Sequence, residues 1–171
     1  KPKVRDLDGP AGLNKVVGHG SVELGNGYYS MTWPTQYILA CTWDLDHAYE
    51  MGKLMGEDGL YGDVQGWYGP GMNIHRDPFA GRNFEYYSED PMLTNIMGTH
   101  FVRGGLEKGM ILSAKHFAFN TQESFREGLS QFMEEQSARE LELRAYQGLF
   151  QDVEYINQNG NEINSLGLMT S

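Results

Sequence analysis

Met110-Ile111-Leu112-Ser113-Ala114-Lys115-His116 is an apolar run that ends on charge. The run reads as a buried strand, and a lysine at its end is expensive to bury without a partner or a ligand. The same pattern recurs along the chain. Val4 to Leu7 is short and apolar and runs directly into Asp8-Gly9-Pro10. Gln65 to Met72 is a second candidate strand, interrupted by Gly and Pro as it reaches a long loop. Leu166 to Met169 is another, reached through an Asn159-Gly160 turn.

Helical periodicity fills the intervals. Pro34 introduces a helix expected to run to about Leu60, with Tyr37, Ala40, Cys41, Leu45, Ala48, Met51 and Met55 at three- and four-residue steps. Met92 to Lys108 is a second helix, with Ile96, His100 and Val102 inward and Gly109 as its stop. Glu134 to about Val153 is a third, with Ala138, Leu141, Ala145 and Leu149 on one face. Strand followed by helix, repeated, predicts an α/β fold with parallel strands and crossover helices. A doubly wound sheet and a (β/α)8 barrel both satisfy that pattern. The polar residues favour the barrel: Asp8, Arg82, Lys115 and His116 all fall at or just beyond the carboxyl end of a strand, where barrel enzymes build their sites. No GxGxxG fingerprint opens a helix, which removes the usual support for a nucleotide fold. A whole barrel takes about 250 residues. This chain has 171, with four or so countable strands, so the barrel is expected to be incomplete.

Composition excludes several function classes. A net charge of -10 argues against nucleic acid, whose phosphates would be repelled. No apolar run approaches the roughly 20 residues of a membrane span. The single cysteine, Cys41, rules out an internal disulfide and is expected to be a small core residue rather than a nucleophile. The glycine-rich segment from Gly18 to Gly27 lacks a P-loop Lys-Ser/Thr and reads as a surface loop. His47 and Glu50 stand three apart on one helix face, a chance spacing, and neither a metal nor a cofactor is expected. The chain opens with Lys1-Pro2-Lys3 and no Met, so removal of upstream sequence is expected and the compartment, cytoplasmic or secreted, stays open.

Between the second strand and second helix lies Gly69 to Pro91, GPGMNIHRDPFAGRNFEYYSEDP. Its Arg76, Asp77, Arg82, Glu85, Glu89 and Asp90 are mixed with Phe79, Phe84, Tyr86 and Tyr87 among turn residues. A rigid loop that grips a hydroxyl-rich ligand has this composition, with rings shaping the wall and charges binding hydroxyls. The segment resembles the arginine-bearing signature of glycoside hydrolase family 3, the β-glucosidase family. Asp8-Gly9-Pro10-Ala11-Gly12 is similar to that family's first sugar-binding loop, and Lys115-His116-Phe117 through Gln122-Glu123 to its Lys-His segment. The three motifs occur in the family's order.

The resemblance implies that residues 1–171 are roughly the first half of the family's catalytic (β/α)8 domain. Half a barrel exposes an unpaired parallel strand and needs the remaining polypeptide, attached or as a second chain. A retaining double displacement on a terminal β-glucosyl residue uses a carboxylate nucleophile and a carboxyl acid/base. In the family both lie in segments absent here, so no catalytic residue is assigned to this chain, and alone it is expected to be inactive. Asp8, in isolation a tight-turn residue, takes the role of acceptor for hydroxyls of the sugar in subsite −1. Arg82 reaches the same sugar or fixes Asp8, the competing role being an ion pair with Glu85 or Glu89. Lys115 and His116 donate to ring hydroxyls. Glu123 and Arg126 form a supporting pair, and His75 and Arg76 hold the loop. Asn14 stands where many members carry Arg, which removes a charge from the sugar's edge. Trp33 and Trp43 are expected in the core; Trp67 is left between core and sugar face. The continuation Ala118-Phe119-Asn120-Thr121-Gln122-Glu123 is the β-glucosidase-like version rather than the N-acetylglucosaminidase one, which favours glucosides, with xylosides and related glycosides open. A sugar-binding relic without catalysis is the alternative function.

Overall fold

A computed structural model describes residues 5–14, 27–153 and 166–170. The expected strand start at Val4, positions 18–26 of the glycine-rich loop and the Asn159-Gly160 turn lie outside the described residues. Strands β1 (Asp6–Asp8), β2 (Gly66–Tyr68), β3 (Ile111–Phe117) and β4 (Leu166–Thr170) form one sheet in the order β1-β2-β3-β4. All three pairings are parallel. Sequential order without reversal is how a barrel winds, whereas a doubly wound sheet turns back at a switch point. β2 ends at Tyr68, short of Met72, because Pro70 has no N–H for the ladder; Gly71 keeps contact through single bridges to Lys115 and Tyr86.

The first expected helix is two helices, α1 (Gln36–Ala40) and α2 (Leu45–Gly62). Trp43 takes a positive φ of 56°, and Asp44 restarts the helix by accepting from the His47 N–H at 2.9 Å. The break resets the phase. Ala40, Ala48, Met51 and Met55 are buried as expected, but Tyr37 is half-exposed and Cys41 is exposed rather than core. Trp43, also expected in the core, is 72% exposed because it sits on the turn between the helices. Trp33 packs partly buried against the core, and Trp67 is fully buried, its indole N–H on the Gly9 carbonyl at 2.7 Å.

Helix α3 (Pro91–Glu107) has Pro91 in its first turn, and Asp90 caps it by accepting from Met92 and Leu93. Gly109, with φ 80°, lies just past its end. Met97, Phe101, Val102 and Leu106 face the core; Ile96 lies at the exposed margin and His100 is half-buried, so the inward stripe is centred one residue later than expected. α2 and α3 touch through their backbones. A Cβ on Gly104 would sit 2.0 Å from the Tyr49 carbonyl oxygen, and one on Gly52 2.0 Å from that of Phe101. Gly104→Ala is therefore expected to lower unfolding stability by about 1–3 kcal/mol by forcing the helices apart. Denaturant unfolding measures it, and an unchanged midpoint would contradict this packing.

The third expected helix is an irregular succession: α4 (Glu135–Ser137), a π turn (Ala138–Glu142), a 3-10 turn (Arg144–Tyr146) and α5 (Gln147–Gln151). The wider π turn rotates the later residues about the helix axis. Glu142 goes inside in place of Leu141, which is exposed, while Ala145, Tyr146 and Leu149 are buried.

Candidate functional site

Each strand delivers one part of the site from its carboxyl end. Asp8 is the last residue of β1, and the chain turns back at once: the Asp8 N–H donates to the Asn14 carbonyl at 3.0 Å and the Asn14 N–H to the Asp8 carbonyl at 2.7 Å. Gly9 and Gly12 carry the turn at φ 110° and 137°. Asp8 Oδ1 accepts from the Gly9 N–H at 2.7 Å and from Lys115 Nζ at 2.5 Å. Oδ2 meets no donor among the described residues, which leaves one carboxylate oxygen available toward solvent.

The loop after β2 folds on itself. The His75 ring contacts the Tyr86 carbonyl at 3.2 Å through Nε2, and its backbone N–H donates to the Ser88 carbonyl at 3.0 Å. Burial lowers the His75 pKa. Arg76 crosses to the third loop, with Nη2 at 3.4 Å from Thr121 Oγ1, and to the π turn, with Nε at 3.6 Å from Glu142. Burial raises the Glu142 pKa, against the pull of Arg76.

In β3 the register slips between Lys115 and Phe117, so that β4 offers His116 no opposed residue. Neighbouring strand residues normally face opposite sides, and a bulge re-aims one of them. Both Lys115 and His116 consequently reach the polar end of the sheet. Lys115 is fully buried between two carboxylates, Asp8 and Glu85, whose Oε2 stands 3.8 Å away. Glu85 binds Arg82 through Oε1. Arg82 Nη1 lies 3.5 Å from Glu123, and Glu123 lies 3.2 Å from Arg126. Asp8, Lys115, Glu85, Arg82, Glu123 and Arg126 thus form a single row of alternating charge drawn from all three loops. Burial works against the Arg82 charge, but the Glu85 carboxylate outweighs it and raises the guanidinium pKa.

His116 is fixed on its other side. Its backbone N–H donates to Asn73 Oδ1 at 2.7 Å, Asn73 Nδ2 donates to its carbonyl at 3.0 Å, and the Tyr86 hydroxyl is 3.1 Å from Nδ1. Burial raises the Tyr86 pKa, and Nδ1 is faced by the Tyr86 hydroxyl and, at 3.3 Å, by the Asn73 side-chain oxygen. Burial first, then Arg82, Lys115 and Arg126, lower the His116 pKa from 6.5 to about 2. The ring is therefore neutral. As pH falls below 6.5 the unfolded chain takes up a proton here that the folded chain refuses, so stability decreases from there toward about 2. His116→Asn is expected to flatten that part of a stability–pH curve; an unchanged slope would mean the ring charges freely in the folded protein.

A cleft of about 520 Å³ opens over this row, lined by Asp8, Arg82, His116 and Arg126, with Glu127 and Thr170 at its sides. Of the residues singled out from sequence, Lys115 sits behind Asp8 and Glu123 bridges the two arginines. Asn14 braces the Asp8 turn, and His75 lies outside the cleft lining. Asn73 and the junction role of Glu85 escaped sequence reasoning, although an Asn between Met72 and Ile74 in an apolar stretch was a readable signal. Among the described residues no group of three or more His, Cys, Asp or Glu could hold a metal ion.

Comparison with known proteins gives this geometry relatives. The family model described as the glycosyl hydrolase family 3 N-terminal domain matches residues 9–156. β-Glucosidase A of Butyrivibrio fibrisolvens is 39% identical over 146 residues, 85% of this chain and 17% of that protein. Thermostable β-glucosidase B of Acetivibrio thermocellus is 33% identical over 147 residues, 85% of this chain and 20% of that protein. The chain therefore spans about a fifth of the length of the curated relatives it matches. The structure of β-glucosidase 3B from Thermotoga neapolitana in complex with glucose superposes with a TM-score of 0.80 at 34% identity, covering 99% of this chain and 23% of that one.

Proposed function

The chain belongs to glycosyl hydrolase family 3 through that family's N-terminal domain, and from this premise we propose that it supplies the sugar-binding wall of a β-glucosidase. In this reading residues 1–171 are part of the catalytic barrel, and polypeptide beyond them carries the rest of the barrel, the second domain and both catalytic carboxylates. The observation that carries it is the alternating row that ends on an open cleft. Asp8 presents a carboxylate oxygen that meets no donor among the described residues, in the same cleft lining as Arg82 and the neutral His116 ring. An acceptor flanked by two kinds of donor suits vicinal hydroxyls, each of which both gives and takes a hydrogen bond.

The substrate is a terminal β-D-glucosyl residue, bound in subsite −1 by Asp8, Arg82, Lys115 and His116, with Asn14, His75, Glu123 and Arg126 supporting them. Lys115 acts mainly by holding Asp8, since its ammonium is buried behind that carboxylate. A retaining mechanism needs one carboxylate free to attack and one carboxyl free to give up a proton, about 5 to 5.5 Å apart. Asp8, Glu85 and Glu123 each have a cation within 3.8 Å and serve the wall instead. The 171-residue chain on its own is therefore expected not to hydrolyse an aryl β-glucoside, and the protein with its flanking polypeptide is expected to do so. Turnover by the pure chain that disappears when one of its own carboxylates is replaced would overturn the assignment.

A further inference from the structure

A second cleft, of about 350 Å³, lies where α1 and the turn after it meet the end of the β2–α3 loop. Its walls include Tyr37, Trp43, His75, Tyr87 and Glu89. We propose that it is a second carbohydrate site, separate from the first cleft, that takes one neutral pyranoside.

Four observations carry the proposal. The turn at Trp43 holds the indole out, 72% exposed, and Tyr37 beside the same cleft is half-exposed, so two aromatic faces are offered to solvent on a wall that sequence periodicity would have put inside. The Tyr37 ring is braced from behind by His75, with centroids 5.9 Å apart, and His75 is pinned in turn to the Tyr86 carbonyl. Tyr87 contributes to the wall, yet its buried hydroxyl meets no hydrogen-bond partner among the described residues. Such a group is a standing deficit, and a ligand hydroxyl removes it once the ring shifts enough to uncover it. Finally, among the described residues neither lysine nor arginine lines the cleft, while Glu89 and Ser88 do. That gives phosphate and carboxylate ligands no lysine or arginine to pair with and favours a neutral molecule with an apolar face for the rings and hydroxyls for the polar groups. A pyranose has both, and the volume is at the small-ligand end of the usual range of about 300–1,000 Å³.

The two clefts share one short segment. Tyr86 turns to His116 in the first, and Tyr87, the next residue, turns to the second. Backbone extended at Tyr86 sends the two rings to opposite sides.

Cys41 lies on the second cleft and is exposed, so its alkylation reports occupancy directly. The test uses the intact protein that carries this chain, with D-glucose as the probe and labelling at Cys41 read by peptide mass spectrometry. Glucose is expected to slow labelling about tenfold at ten times its dissociation constant, since only the free fraction reacts. Trp43→Ala, at an exposed turn, is expected to abolish that protection, and Tyr87→Phe to weaken the affinity about two- to tenfold, the usual worth of one hydrogen bond. Asp8→Ala is expected to leave protection in place, which separates this site from the first cleft. Three results would each overturn the proposal: labelling that glucose does not slow, protection that survives Trp43→Ala but is lost in Asp8→Ala, or a Cys41 unreactive even without sugar because other polypeptide covers it.

Discussion

Replacing Glu85 by alanine is expected to lower the unfolding stability of the protein by about 3–5 kcal/mol, because it takes one partner out of a buried ionic row and leaves the others without it. Glu85 is wholly buried and stands at the junction of the row, bonded to Arg82 and 3.8 Å from the equally buried Lys115. Without it, among the described residues Lys115 keeps Asp8 alone as an acidic partner, and Arg82 keeps Glu123 alone, at 3.5 Å. Glu85→Gln, which preserves shape and one acceptor but not charge, should fall between. Denaturant unfolding with the slope held in common measures the differences. A loss from Glu85→Ala of less than about 1 kcal/mol, the size found for exposed pairs, would show that the row contributes little to folding.

Asp8→Ala is expected to reduce kcat/KM on an aryl β-glucoside by at least about tenfold while the fold is kept. The variant removes a charge-assisted acceptor worth about 1.5–3 kcal/mol, and 1.4 kcal/mol is one decade. The loss should exceed that figure, since hydroxyl contacts tighten as the ring approaches the oxocarbenium-like transition state and Lys115 loses its nearest counter-charge at 2.5 Å. Arg82→Lys should also be damaging, because an ammonium cannot serve Glu85, Glu123 and a sugar from one planar fork. Asn14→Ala, at a residue that meets Asp8 through its backbone, should matter less than either. Circular dichroism checks folding. Near wild-type activity in a folded Asp8→Ala, with activity lost in Asn14→Ala, would mean that the sugar site has been drawn on the wrong residues.

Much of the scaffold was legible because it rests on local signals. The apolar run ending at Lys115-His116 and the Gly109 stop each act within a few residues, and the structure places strand and helix there. Parallel order comes from the alternation of strand and helix. What stayed hidden depends on partners far away in sequence or on a change of phase. Cys41 fits the helical stripe, and Trp43 a core position, only if one helix runs on, whereas the first helix ends at Ala40 and Trp43 turns the chain at φ 56°. Leu141 and Glu142 exchange places because a π turn adds a residue to the coil. The residues that meet at the cleft were visible as types and motifs. Their linkage was not, since the Lys115–Asp8 pair spans 107 positions and Glu85 is identified as the junction only once both neighbours are in space.

On the proposed function the alternating row also bears on which sugars the cleft admits. Acids and bases occur in it in equal number, Asp8, Glu85 and Glu123 against Lys115, Arg82 and Arg126, so it is electrically complete before any ligand arrives. A neutral hexose leaves that parity intact and meets only dipoles. An ionised sugar, such as a uronate, would be the odd member, since every cation of the row already faces an acid. On that reading the wall is expected to disfavour charged glycosides by its balance of charge as well as by the acids, Asp8 and Glu127, that line the cleft.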